Sequence, residues 1–437
     1  MKYFLITTLG CKVNQSESEA LAARLLELGW RPAGPGCPAD VCIVNTCTVT
    51  GRASMQSRQA VRQLRRAHPG ARVIITGCYA QTSPEEVAHL EEADLVVAQA
   101  DKLAIPDLLA SAYPAASRPP RPISAERRMH PQPASRASGR TRPFLKVQDG
   151  CNSFCTYCIV PFARGPSRSL PPEAVLEEIH RLVRDRVAEV VLTGIHLGGY
   201  GADLDPPTDL LDLLVRIRDA TRIPRVRLSS IEPLEMSDAI LDVLAADSRF
   251  CQHLHLPLQS GDDGILARMG RPYSRARFAE RVQAARARLP EAALGTDVLV
   301  GFPGETQAAF EQTMALIEDL PLTHLHVFPF SPRPGTPAAD YTPHIPERHV
   351  KARCQLLRLL GARKKAAFQS TFLGRVLEVL VENRRDPATG LLTGLSGNYL
   401  PVRLEGSDEC LNRILPVRLE SLDGQGHLRG RLLAPPH

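Results

Sequence analysis

An α/β chain of several domains is the expectation here: a parallel-sheet amino-terminal domain, a partial six-fold (β/α) barrel and a small carboxy-terminal all-β barrel. Three observations carry it. Strand-like and helix-like stretches alternate up to about Ala112, a Pro- and Arg-rich stretch interrupts them, and the alternation then returns six times before short alternating strands take over. Length agrees, because 437 residues correspond to about three domains of typical size.

In the first unit, residues 3–10, 41–46, 73–76 and 95–98 are rich in β-formers, while residues 16–28, 52–67 and 84–90 repeat apolar positions at helical spacing. A β-α-β-α order of this kind predicts a parallel sheet. Between Pro114 and Pro143 prolines and arginines crowd together, which predicts a semi-rigid basic linker without a core. The second unit offers strands at 144–147, 187–192, 225–229, 253–258, 294–300 and 324–330, with amphipathic helices at 172–184, 274–289 and 306–320 among them. Six such units suggest an incomplete barrel. Residues 351–365 read as a basic helix, either a solvated face or an RNA-facing stripe. Five short strands follow at 375–382, 391–395, 399–404, 414–419 and 427–433, separated by Gly and Asp turns as in a small β-barrel. The domain limits are therefore 1–113, a linker at 114–136, 137–366 and 369–435.

Composition narrows the function classes. The net charge is +6 (53 Lys+Arg against 47 Asp+Glu), and 43% hydrophobic with 23% charged residues excludes wholesale disorder. A run of about 18 uncharged apolar residues is missing, so no membrane span is expected. Residues 1–11 have the outline of a lipoprotein signal, but their apolar stretch is too short, and a cytoplasmic location is expected. Eleven cysteines, an odd number, favour metal or redox chemistry over a disulfide framework.

Two sets of cysteines stand out. Cys151, Cys155 and Cys158 form C-x3-C-x2-C on a loop after the first strand of the second unit. Three thiolates at that spacing can hold a four-iron cluster with one iron open to a small molecule, and a structural zinc site lacks a fourth ligand at customary spacing. Cys11, Cys47 and Cys78 each lie just past the carboxyl end of a predicted strand. In an open parallel sheet those ends face one crevice, so the three can meet over a second cluster. Any one of them alone reads equally as a small core residue. Cys37, Cys42, Cys251, Cys354 and Cys410 lack this placement and receive no role.

The motif with Tyr157 before its last cysteine resembles that of the radical S-adenosylmethionine (SAM) enzymes. The further runs Thr8-Leu-Gly-Cys-Lys-Val-Asn-Gln, Asn45-Thr-Cys-Thr-Val-Thr, Thr76-Gly-Cys-Tyr-Ala-Gln and Cys151 to Gly165 resemble the methylthiotransferases over nearly the whole chain. That likeness implies a radical SAM barrel, a carboxy-terminal TRAM domain, two [4Fe-4S] clusters and SAM. Cys11, Cys47 and Cys78 match the ligands of the family's auxiliary cluster, and Cys151, Cys155 and Cys158 those of the SAM cluster. Gly10-Cys-Lys-Val-Asn-Gln and Ala163-Arg-Gly-Pro-Ser-Arg-Ser look most like the branch acting on threonylcarbamoyladenosine at position 37 of tRNA, where carbon 2 receives the methylthio group. An electron donor of flavodoxin or ferredoxin type and a sulfur donor are implied partners.

The same resemblance makes Tyr157, Thr193, His196, Ser229, Ser230, Gly301 and Glu305 candidate SAM contacts, although turn formation also explains the glycine and a packed loop residue explains the histidine. Arg164 and Arg168 are candidate substrate contacts, able to fork onto a carboxylate or phosphate, with surface charge as the plainer reading. Arginines 52, 58, 62, 65, 66 and 72 suit an RNA partner, whereas the last domain balances eight arginines with eight acids. The alternatives are methylthiolation of isopentenyladenosine in tRNA or of a ribosomal-protein side chain, and a noncatalytic zinc-containing RNA-binding protein.

Overall fold

The computed structural model describes residues 1–34, 36–110, 122–134, 139–424 and 426–433. Its first domain carries β1 (Tyr3–Thr8), α1 (Lys12–Glu27), β2 (Arg31–Pro32), β3 (Val41–Thr46), α2 (Gly51–Ala67), β4 (Arg72–Gly77), α3 (Cys78–Thr82), α4 (Pro84–Ala88), β5 (Leu95–Val96) and α5 (Ile105–Ala110). The strands form one parallel sheet in the order β2-β1-β3-β4-β5. β3 is buried along its whole length, as expected of a central strand covered by helices on both faces. Leu21 and Leu25 of α1 pack on one face with Ile43 and Ile74, and Val61 and Leu64 of α2 on the other with Val44 and Ile75.

The second domain holds β6 (Phe144–Lys146), the hairpin β7 (Gln148–Asp149) and β8 (Arg168–Ser169) flanking α6 (Val160–Arg164), then α7 (Pro172–Arg184), β9 (Val190–Thr193), α8 (Leu210–Ala220), β10 (Val226–Leu228) and α9 (Asp238–Ala246). It continues through β11 (His253–His255), α10 (Asp263–Arg268), α11 (Arg275–Arg288), β12 (Ala293–Val300), α12 (Gln307–Asp319), β13 (His324–Pro329) and α13 (Glu347–Ser370). Two parallel triplets, β10-β9-β6 and β11-β12-β13, join where the Val226–Phe250 bridge continues the ladder and the Ile231 amide donates to the His255 carbonyl at 3.0 Å. This is the expected partial barrel. Leu254, Leu294 and Val298 face the surrounding helices in the main core, so strand alternation turns His253, His255, Gly295 and Asp297 towards the lumen.

The third domain is a closed barrel of β14 (Val376–Arg385), β15 (Leu392–Ser396), β16 (Pro401–Leu404), β17 (Ile414–Leu422) and β18 (Leu428–Leu432), ordered β14-β15-β16-β18-β17. It docks on the amino-terminal end of the partial barrel. Arg227 reaches from β10 to the carbonyls of Ser396 (3.1 Å) and Gly397 (3.2 Å) while pairing with buried Glu189 at 2.7 Å. Tyr399 stacks on His253 with centroids 4.1 Å apart.

Two expectations are corrected. The linker between 114 and 136, expected to lack a core, is seated over its described part: Ile123 and Ala134 are buried, and the Ala134 amide donates to Glu178 at 2.6 Å. Its residues 114–121 and 135–136 lie outside the described residues. The basic helix 351–365 is not wholly solvated: it belongs to α13, whose Arg353 is buried against Glu305 and whose Lys364 binds the carbonyls of Glu318 and Leu320, while Lys351, Arg358, Arg363 and Lys365 stay exposed. Local charge suggested a surface throughout; Arg353 is instead held by the Glu305 carboxylate and Lys364 by carbonyls at and just past the end of α12.

Candidate metal centre

The first trio sits where three adjacent strands end together. Thr8 lies opposite Asn45, and Thr46 opposite Gly77; Cys11 caps α1, Cys47 follows β3 and Cys78 opens α3. Close approach demands glycine at two positions. A Cβ on Gly10, with φ of +92°, would stand 2.8 Å from Cys47 Sγ, and one on Gly77 would strike the Thr46 backbone. Burial pushes the Cys47 thiol up to about 12, and the neighbouring Cys78 and Cys11 add to the shift. Cys78 is likewise raised by burial, opposed chiefly by Arg164, whose Nε lies 3.3 Å from its Sγ.

Below this trio lies a buried ionic network joining the first two domains. Glu17 of α1 accepts from Lys102 Nζ at 2.5 Å, Lys146 Nζ at 2.9 Å and Arg164 Nη1 at 2.6 Å. Burial alone would raise its carboxyl, but Arg164, Lys102 and Lys146 hold it well below the usual range. Asp149 answers Lys146 at 3.1 Å and Arg164 at 3.3 Å, and Arg164 also binds Asn14 Oδ1.

The second trio occupies the loop after β7. Burial drives Cys158 up to about 12, with Cys155 and Cys151 reinforcing it. Cys151 moves down instead: burial opposes the shift, but His196 and Ser153 donate to its sulfur, the His196 Nδ1 at 3.6 Å and the Ser153 amide at 3.4 Å. Arg271 places Nη1 3.4 Å from Cys155 Sγ and is itself paired with Glu232. Cys47 and Cys78 in the first trio and Cys158 in the second are thus thiols raised by burial, and each trio has a guanidinium against one sulfur. Such thiols ionise readily once a cationic metal joins them, so both donor sets fit an iron-sulfur cluster with a vacant iron.

The remaining predicted residues separate into three groups. His196 and Ser229 lie at the site: His196 also pairs with Glu235 at 2.6 Å, and Ser229 has a buried Oγ without a hydrogen-bond partner among the described residues, a vacancy suited to a polar cofactor. Tyr157, close to Cys155, Cys158 and Arg271, and buried Thr193 at the end of β9 stand nearby, while Ser230 is exposed beside them. Gly301 and Glu305 have a structural explanation. The Glu305 carboxylate accepts from the Gly301 amide at 2.9 Å and from Arg353 at 2.7 Å, which fixes the loop after β12. Arg164 and Arg168 depart from expectation. Arg164 is completely buried and bound to Glu17, Asp149 and Cys78, and Arg168 is buried beside the Arg164 carbonyl at 2.9 Å, so neither is surface charge and Arg164 is not free to fork onto a substrate.

Sequence reading missed Glu17, Lys102 and Arg271. Their partners lie 147, 57 and 116 residues away in the bonds Arg164–Glu17, Lys102–Asn45 and Arg271–Cys155, and no local pattern announces them.

Residues 145–317 match the radical SAM superfamily, and residues 3–98 match the uncharacterized protein family UPF0004. A threonylcarbamoyladenosine tRNA methylthiotransferase of Bacillus subtilis is 36% identical over 94% of this chain and 92% of its own. Its counterpart from Thermotoga maritima is 36% identical over 98% and 96%. A tRNA-2-methylthio-N(6)-dimethylallyladenosine synthase of Bacillus subtilis is 31% identical over 97% and 85%. Among solved structures, the radical S-adenosylmethionine methyltransferase TsrM of Kitasatospora setae superposes with a TM-score of 0.58 at 16% identity, covering 89% of this chain and 80% of that one, a likeness of fold.

Proposed function

The chain belongs to the radical SAM methylthiotransferases, and on that premise we propose that it methylthiolates carbon 2 of threonylcarbamoyladenosine at position 37 of tRNA. The observation that carries this reading is the pair of cysteine trios flanking one buried network, joined to a 36% identity that spans nearly the whole chain with the enzymes named for that nucleoside. In this reading Cys11, Cys47 and Cys78 hold an auxiliary [4Fe-4S] cluster, and Cys151, Cys155 and Cys158 hold the cluster that binds SAM. When bound, the clusters and SAM supply the sulfur carrier, the methyl group and the radical needed at an unactivated carbon-hydrogen bond.

The chain itself positions and insulates. Arg164 and Arg271 each set a cation against one ligating sulfur and compensate its charge in a buried place. His196, clamped by Glu235, orients the loop of Cys151. Phe154 and Phe162 pack edge to face at 5.9 Å and remain largely exposed at the mouth of that loop, a surface on which an unstacked base can rest. Among the described residues no helix is long and apolar enough to cross a membrane. A cytoplasmic setting, a flavodoxin- or ferredoxin-type reductant and a separate sulfur donor complete the proposal.

The test is anaerobic incubation of the reconstituted protein with SAM, a reductant, sulfide and tRNA carrying threonylcarbamoyladenosine, followed by nucleoside mass spectrometry. Appearance of the 2-methylthio derivative is expected. Its absence, with both clusters loaded, refutes the assignment.

A further inference from the structure

The buried arginines of this chain are paired with acids, with one exception among the described residues. Arg164, Arg168, Arg225, Arg227, Arg271 and Arg353 each have a carboxylate oxygen within 3.6 Å. Arg333, in the loop after β13, is 9% exposed and makes no ion pair to a described residue. Its Nη2 donates to the hydroxyls of Thr48 at 2.7 Å and Ser54 at 3.1 Å, and its buried Nε has no hydrogen-bond partner among the described residues. A buried charge calls for a counter-charge, and two hydroxyls supply none.

This cation arrives at the edge of the first cysteine trio. Thr48 directly follows Cys47, about 3.8 Å away between Cα atoms. Thr82 Oγ1 bonds both Thr48 Oγ1 at 3.4 Å and the Cys78 carbonyl at 3.1 Å. Arg333, although it belongs to the second domain, thus ends a chain of hydroxyls that links the segments of Cys47 and Cys78. The positive end of α2 lies at the same place: its first turn holds no acidic residue, and its Gly51 amide donates to Ser331 Oγ at 2.9 Å, two residues before Arg333. The loop is also tied on its far side. Thr336 Oγ1 donates to the Arg333 carbonyl at 2.7 Å, and the amide of buried Ala338 donates at 2.9 Å to the carbonyl of Thr156, which lies between Cys155 and Cys158.

Resting on the function proposed above, we infer that Arg333 is a positioning residue of the auxiliary cluster, holding the loop of Cys47 through Thr48 and supplying positive charge beside a cluster bound by three thiolates. Such a cluster is anionic and becomes more so on reduction, so a neighbouring cation without an acid partner favours the reduced form. Arg164 and Arg271 touch ligating sulfurs, but Glu17 and Asp149 offset the first and Glu232 the second. The charge of Arg333 is left over for the cluster.

The experiment is an anaerobic redox titration of the full-length protein with both clusters loaded, followed by electron paramagnetic resonance. The SAM cluster is identified by the change in its signal on adding S-adenosylhomocysteine. Arg333→Gln keeps a donor for Thr48 without the charge, and Arg333→Lys keeps the charge. In Arg333→Gln the equilibrium constant for reducing the auxiliary cluster is expected to fall about tenfold, the scale of one unit charge in a partly buried place, which is about 59 mV for one electron. Arg333→Lys is expected to stay close to the wild type, and the SAM cluster to keep its potential in both variants. A wild-type auxiliary potential in Arg333→Gln overturns the inference, as does an equal shift in the two variants or in the two clusters. Loss of auxiliary iron from Arg333→Gln alone shows the same dependence on charge, whereas loss from both variants makes the residue merely structural and overturns the inference. A wild type that loads about four irons instead of about eight removes the auxiliary site and the proposed function, a result separable from an unmoved potential.

Discussion

Replacing Glu17 with Gln tests the network that joins the first two domains. The carboxylate takes three cations at 2.5, 2.6 and 2.9 Å, and the Gln99 amide donates to it at 3.0 Å. Its own side chain is 1% exposed. The amide would remove the negative charge and turn an NH2 donor towards ammonium and guanidinium groups, leaving Asp149 to answer Lys146, Arg164 and Arg168. Removing one partner from a buried ion pair costs about 3–5 kcal/mol, because the remaining charges stay desolvated. Hydrogen exchange followed by mass spectrometry on anaerobic protein measures the local opening of residues 12–27. Protection there should fall by about two to four orders of magnitude, while the carboxy-terminal barrel keeps its own. Adding Lys102→Met to Glu17→Gln removes one surplus cation and should recover part of the loss, a coupling of about 0.5–3 kcal/mol. Unchanged protection in the single variant, or strictly additive losses in the double, would refute the ionic account.

Further tests follow from the same geometry. Wild-type protein should bind about eight irons after anaerobic reconstitution and Cys47→Ala about four; iron analysis that finds the full content in the variant rejects the auxiliary site. Gly10→Ala forces a side chain into a left-handed backbone against Cys47, so it should lower iron content towards the same level with the SAM cluster spectrum intact. Tyr399→Ala removes the aromatic stack on His253 and should expose the connection between α13 and β14 to proteolysis, which a gel of timed digests would reveal. Burial, aided by His255 and His326, presses His324 down to about 3, against about 6.5 when unfolded. The unfolded chain therefore binds the extra proton between those values, and the stability of this end of the barrel should decline as pH falls from 7 towards 4. His324→Asn should flatten that decline in denaturation curves followed at several pH values.

Much of the site was legible because it depends on repeats of local pattern. A strand followed within three residues by cysteine occurs three times, and parallel pairing converts three separate positions into one crevice. The helix at 172–184 was read to its ends, since Pro172 opens it and its apolar face repeats at helical spacing. What escaped depends on long-range charge. Arg164 looked like a substrate contact because nothing near it in sequence reveals Glu17, 147 residues earlier. The linker looked coreless because Pro and Arg dominate its composition, yet two apolar side chains, Ile123 and Ala134, suffice to seat it. Docking of the last barrel rests on carbonyl acceptors at Ser396 and Gly397, which carry no residue signature.

The short helix α6 begins two residues after Cys158 and ends at Arg164, whose guanidinium touches Cys78. One turn of rigid backbone therefore acts as a ruler between the two sulfur trios. Breathing between the domains cannot widen their separation without tearing Arg164 out of its buried seat.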